Sequence, residues 1–124
     1  MRRDMDLIRH LLLLIEDQGS DMNSWIEDTI VEGHTEEEIS HHIWLLSDGG
    51  FIDAIDLSTM ECSSFKPRCL TWQGHEFLDA VRDKDIWSQT LDLAKHGGTN
   101  SLTTLFDIAK FLVRKRIEKL LDIA

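Results

Sequence analysis

Apolar and polar positions along the chain divide it into a short series of elements. Over residues 4–17, Ile8, Leu11, Leu12 and Ile15 recur at helical spacing behind Asp4, a good N-cap, so the first element is read as a helix. Gln18-Gly19-Ser20-Asp21 ends it. Residues 23–31 carry Trp25, Ile26, Ile30 and Val31 without clean alternation, and their strand formers predict a short strand. Thr35 with Glu38 three positions on is a capping box, so a helix is predicted over residues 35–48. Its buried stripe would be Ile39, Ile43 and Leu46, widened by Trp44 and Leu45, with Gly49-Gly50 at the C-cap. Residues 51–56 read as a strand, 57–67 as a polar loop and 68–71 as a second strand, paired antiparallel with the first. Thr71 then caps a helix to about residue 84 with Gly74, Phe77, Leu78 and Val81 on one face. Residues 86–96 form another helix. After the break at Gly97-Gly98-Thr99-Asn100, Ser101 caps a last helix to about residue 122.

The expected fold class is α+β and mostly helical. A helix that ends in Gly-Gly and feeds a two-stranded hairpin is the ending of a winged helix. The segment ISHHIWLLSDGGFI resembles the third helix and first wing strand of winged-helix regulators, and CLTWQGHEFL resembles the handover from second wing strand to helix. Thr71 is the cap at that handover, and Gly74 allows close packing under the wing. The expected organisation is a winged-helix-like domain over residues 1–85 with a two-stranded wing, then a C-terminal helical extension over residues 86–124. The predicted core comprises Ile8, Leu11, Leu12, Ile15, Ile39, Ile43, Leu46, Phe51, Phe77, Leu78 and Val81.

Three separated segments, MRRDMDLIR, EGHTEEEISHHIWLL and LTWQGHEFLDAVRD, together resemble one family of uncharacterised bacterial and phage proteins, classed as a domain of unknown function. The resemblance covers residues 1–90 and implies a winged-helix-like fold in bacteria, phages or prophages. It implies no established activity. His41 stands where the family pattern has an aromatic residue.

Composition narrows the picture. A chain of 124 residues with 42% apolar content suits one core without metal or disulfide staples. No apolar run approaches the ~20 residues a membrane helix needs. Asp4, Asp6 and Arg9 break up any signal-peptide core, so the N-terminus is read as mature. Cys62 and Cys69 are read as free thiols in a reducing, cytoplasmic setting. The net charge of −10 is uneven: residues 11–64 hold thirteen Asp or Glu and no Lys or Arg, whereas residues 66–124 hold ten basic and eight acidic side chains.

Charge argues against DNA binding through the helix at residues 35–48. Its exposed first turn carries Glu36, Glu37 and Glu38, and it has no cation to meet a phosphate. Lys66 and Arg68 are the wing's cations. Metal binding is weakly supported: Glu38 shares helical spacing with His41 and His42, but HExxH and Cys/His zinc quartets are missing from the sequence. His42 reads instead as a core-edge histidine bonded to a backbone group or carboxylate, and His41 as solvent-facing. His75 lies one turn before Asp79, the spacing of a His-Asp pair that could serve acid–base work, but it reads better as a structural histidine clamping the wing to the next helix. Trp25, Trp44, Trp72 and Trp87 read as packing residues. No catalytic residue, cofactor or metal is expected.

The function expected from these residues is a non-enzymatic protein acting through protein–protein contacts, as a phage or prophage regulator or inhibitor. Its partner would be basic and would meet an acidic face of Glu36, Glu37, Glu38, Asp53 and Asp56. The alternative is a DNA-binding transcriptional regulator that uses an atypical surface, the last helix with Lys110, Arg114, Lys115, Arg116 and Lys119. That helix is also apolar beyond one face, so a homodimer through Leu105, Phe106, Leu112 and Leu120 is expected.

Overall fold

The computed structural model describes residues 2–19 and 23–123. It is an α+β arrangement of helices α1 (Met5–Gln18), α2 (Glu36–Asp48), α3 (Trp72–Val81), α4 (Lys84–His96) and α5 (Leu102–Ile123). A two-stranded antiparallel sheet, β1 (Ile52–Asp56) and β2 (Phe65–Leu70), lies between α2 and α3 in the chain. This is the winged-helix-like order anticipated from the sequence. The chain forms two compact units, Met1–Glu76 and Phe77–Ala124.

In the first unit, α1 is capped as its sequence requires: the Asp4 carboxylate accepts from the backbone N–H of Leu7. Leu7, Ile8, Leu11, Leu12 and Ile15 are all buried, each contributing roughly 1.5–3 kcal/mol through removal from water. The helix stops at Gly19, where a Cβ would lie 2.7 Å from the Arg68 carbonyl oxygen, so only glycine lets α1 end against β2. The rest of the predicted break, Ser20 and Asp21, lies outside the described residues.

The strand expected over residues 23–31 does not form. Ile26 donates one backbone hydrogen bond to the Pro67 carbonyl at 2.8 Å, and no ladder follows. Ile26 and Val31 are buried while Ile30 is 77% exposed, and Lys66 Nζ donates to the Glu27 carbonyl, so side-chain burial and isolated hydrogen bonds hold the segment. Without alternation, a strand here would have no single face to bury.

The capping box at the start of α2 is complete. Thr35 Oγ1 accepts from the Glu38 N–H at 3.1 Å while the Glu38 side chain reaches back to the Thr35 N–H. Gly50, at φ +83°, then turns the chain into the wing. The second wing strand is longer than predicted and begins at Phe65. Pro67 is tolerated in it because the pairing shifts there: Asp53 pairs with Cys69 and Ala54 with Pro67, leaving Arg68 as a bulge.

The wing is joined to α3 by Thr71. Its hydroxyl donates to the Gly50 carbonyl at 2.6 Å and accepts from the Gly74 N–H at 3.1 Å. A Cβ on Gly74 would overlap the Phe51 carbonyl, which confirms the close packing expected at that glycine. His75, expected to be the clamp, is exposed, and Thr71 with Gly74 does that work.

In the second unit, Phe77, Leu78, Val81, Ile86, Trp87, Ala94, Leu105 and Ala109 are buried. Asp83 caps α4 through the N–H groups of Asp85 and Ile86. Ten of the eleven predicted core residues are buried, and Phe51 is half-buried. The tryptophans divide differently from the expectation. Trp87 is buried, whereas Trp25, Trp44 and Trp72 reach the surface, Trp72 at 79% exposure.

Candidate functional site

The first turn of α2 and the wing put most of the predicted acidic residues on the surface, in three different situations. Glu36 and Glu37 stand exposed in the first turn of the helix. Glu38 is folded back to the capping box, and His34 Nδ1 donates to its Oε2 at 3.1 Å. That bond, followed by the Thr35 N–H, holds the Glu38 carboxyl below 4.5. On the wing, Asp53 is countered by Arg68, with 3.6 Å between Oδ2 and the guanidinium. Exposed Asp56 accepts from Ser58, which lowers its carboxyl below 3.8. The structure thus keeps Glu36 and Glu37 together on the outside of α2. It commits Glu38 to capping and gives Asp53 a counter-charge.

His42 is the core-edge histidine expected from the stripe, 1% exposed and bonded to backbone on both sides. Its Nδ1–H donates to the Glu38 carbonyl at 2.8 Å, and its Nε2 accepts from the Asp4 N–H at 2.9 Å. The ring therefore ties the start of α1 to α2. Among the described residues, no three His, Cys, Asp or Glu side chains are grouped to hold a metal ion.

The sequence reading missed how α2 and the end of the wing enclose a groove. Glu37, Ser40, His41 and Trp44 follow one another at i, i+3, i+4 and i+7, a second helical face beside the buried one. Facing it are Glu61, Cys62, Ser63 and Phe65, and the space between measures about 610 Å³. Ser40 Oγ accepts from the Phe65 N–H at 3.2 Å and closes the floor. Trp44 is 41% exposed and stacks on His41, with centroids 6.1 Å apart and planes 27° apart. Burial, the largest cause, holds the His41 imidazole below 6.5, so its uncharged form is favoured beside Trp44. The signal for this face was present in the i, i+3, i+4, i+7 spacing, but Trp44 was assigned to the core stripe.

On α5, the predicted self-association residues separate. Leu105 is fully buried, and Phe106 packs edge-on against Phe77 at 5.7 Å. Leu112 is half-buried, while Leu120 is exposed together with Phe111, Ile117 and Leu121. Three of the five basic side chains of this helix have local counter-charges: Lys110 with Asp107 at 3.5 Å, Lys115 with Glu118 at 3.6 Å, and Arg116 with Asp83 at 3.0 Å. Among the described residues, no helix is long and apolar enough to cross a membrane.

Comparison with known proteins places the chain among relatives without an assigned role. No solved structure matches it. A protein of Haemophilus influenzae, described as an uncharacterized protein, is 36% identical over 121 residues, covering 98% of this chain and 99% of the relative. A family model described as Hypothetical protein (DUF2513) matches residues 2–100. The chain belongs to that family, whose bacterial membership the Haemophilus relative illustrates.

Proposed function

We propose that this chain is a non-enzymatic, winged-helix-like regulatory protein that works by binding another protein, and that the outer face of α2 meets a basic surface on that partner. One observation carries the reading. In a helix-turn-helix arrangement the second helix is the one that approaches DNA. Here α2, the helix leading into the wing, presents Glu36, Glu37, His41 and Trp44. Carboxylates in that position repel phosphates at a cost of several kcal/mol and attract lysine and arginine. A cytoplasmic setting suits Cys62 and Cys69, neither of which is in a disulfide.

The alternative of DNA binding through α5 has weaker support, because three of its five basic side chains already face a carboxylate within the same unit. Self-association through α5 has a specific observation behind it. Ile117, Leu120 and Leu121 continue an apolar stripe past the part of α5 that buries Leu105 and Ala109. A homodimer would use that exposed end.

The test is affinity capture from a bacterial lysate with the wild type and with a Glu36→Gln, Glu37→Gln, Glu38→Gln variant. Gln still serves a capping box, so the variant should fold. Capture of a basic protein by the wild type and its loss in the variant supports the reading. Salt-dependent binding to duplex DNA by both proteins would favour the alternative.

A further inference from the structure

The acidic face is a trough with an aromatic floor, and its shape specifies the partner more closely than charge alone. The 610 Å³ chamber by Trp44 shares Glu37, Ser40 and Phe65 with a neighbouring one of about 280 Å³ that reaches Glu36, Asp28 and Ile30. Together they run beside α2 from its first turn to Trp44. Volumes of this order hold several side chains. The carboxylates of Asp28, Glu36, Glu37 and Glu61 border the trough. Lys66, the cation on its rim, is tied by Nζ to the Glu27 carbonyl at 2.8 Å.

We propose that an extended, arginine-bearing segment of a partner protein lies along this trough, with one guanidinium on the Trp44–His41 stack between Glu37 and Glu61. This rests on the reading of α2 as a contact face and adds the form of the partner. Arginine is favoured over lysine because its planar cation stacks on aromatic faces and forks onto carboxylates, whereas an ammonium does neither as well. Trp44 supplies the face, and the uncharged form of His41 does not oppose the cation. An extended segment is favoured because the trough runs lengthwise between α2 on one side and residues 61–66 on the other.

The experiment uses the full chain and short fluorescent peptides of alternating residues, one arginine-containing, one with lysine and one with glutamate at those positions. Anisotropy should show the arginine peptide binding tightest, the lysine peptide weaker and the glutamate peptide not at all. Trp44→Leu, and separately Glu37→Gln with Glu61→Gln, should each weaken the arginine peptide by about tenfold. Asp92→Asn in α4 should change nothing, and circular dichroism melts should show all variants folded. Equal binding of the arginine and lysine peptides overturns the proposal, as does unchanged binding in Trp44→Leu. If Glu36→Gln, Glu37→Gln, Glu38→Gln still weakens the peptide in that last case, the acidic contact face stands and the aromatic shelf falls. Absence of peptide binding at low salt overturns the trough as a peptide site, while lysate capture independently decides the contact face. Self-association of the protein alone that Trp44→Leu abolishes would assign the trough to a second copy and overturn the proposal too.

Discussion

At the scale of single residues, the fold depends on a few positions where one atom decides the packing. Gly74 is one, because any Cβ there collides with the Phe51 backbone. Backbone cannot yield as a flexible side-chain tip can, so Gly74→Ala should cost about 3 kcal/mol or more. Gly97→Ala is the control, since its Cβ would lie 3.4 Å from the nearest atom, the Leu93 carbonyl oxygen. Urea denaturation of both variants should show a large loss for the first and a small change for the second. His42 is another such residue. Substitution by Ala leaves the Asp4 N–H without its acceptor and opens a cavity, for an expected loss of roughly 2–4 kcal/mol. Both positions could be read in the sequence, Gly74 from the Leu-Thr-x-x-Gly handover and His42 from its place between Ile39, Ile43 and Leu46. His75 could not: its place after the second wing strand suits a clamp, and only the Thr71–Gly50 hydrogen bond shows that the clamp is elsewhere.

Elements were legible where local signals agreed. Helix α2 has a cap, an acidic first turn, an apolar stripe and a glycine stop, and all four point the same way. Residues 23–31 have strand-forming side chains but no alternation, and tertiary burial of Ile26 and Val31 decided their path. The caps also set the response to pH. Glu38 is held below 4.5, chiefly by His34, and Asp83 below 3.8, chiefly by the Ile86 N–H and then Arg116. A carboxyl lowered on folding stabilises the protein above its unfolded value, and that contribution is lost as pH falls through the folded value. His41, lowered by burial, binds its proton first in the unfolded chain, so its loss begins as pH falls past 6.5. Urea midpoints should therefore decline in one step as pH falls below 6.5 and in a second below 4.5. Glu38→Gln and Asp83→Asn keep their caps and should flatten the second step only. For α5, ending the chain at Gly98 would remove Leu105 and Ala109 from a packed core, so substitution is the cleaner probe. Ile117→Ser, Leu120→Ser, Leu121→Ser should convert a self-associated species to monomer in sedimentation velocity without lowering the melting temperature by more than about 4 °C.

At the scale of the whole chain, the uneven charge was plain in the sequence, but which carboxylates it leaves for a partner was not. Thirteen acidic residues over 11–64 looked like one surface. Folding commits Glu38 to the Thr35 cap, sets Arg68 against Asp53, and opens a trough beside Glu36, Glu37 and Glu61. The aromatic floor was hidden because Trp44 and His41 are one helical face removed from the core stripe. The proposed contact has α2 meet its partner with carboxylates. Stopped-flow association of the captured partner, measured over a salt series for the wild type and for Glu36→Gln, Glu37→Gln, Glu38→Gln, tests this. Screened attraction should slow wild-type association steeply as salt rises past about 0.1 M, and the variant should associate slowly at low salt with a much flatter dependence. Identical rates and salt slopes for the two proteins would contradict a contact made by α2 and leave its carboxylates a solubility feature.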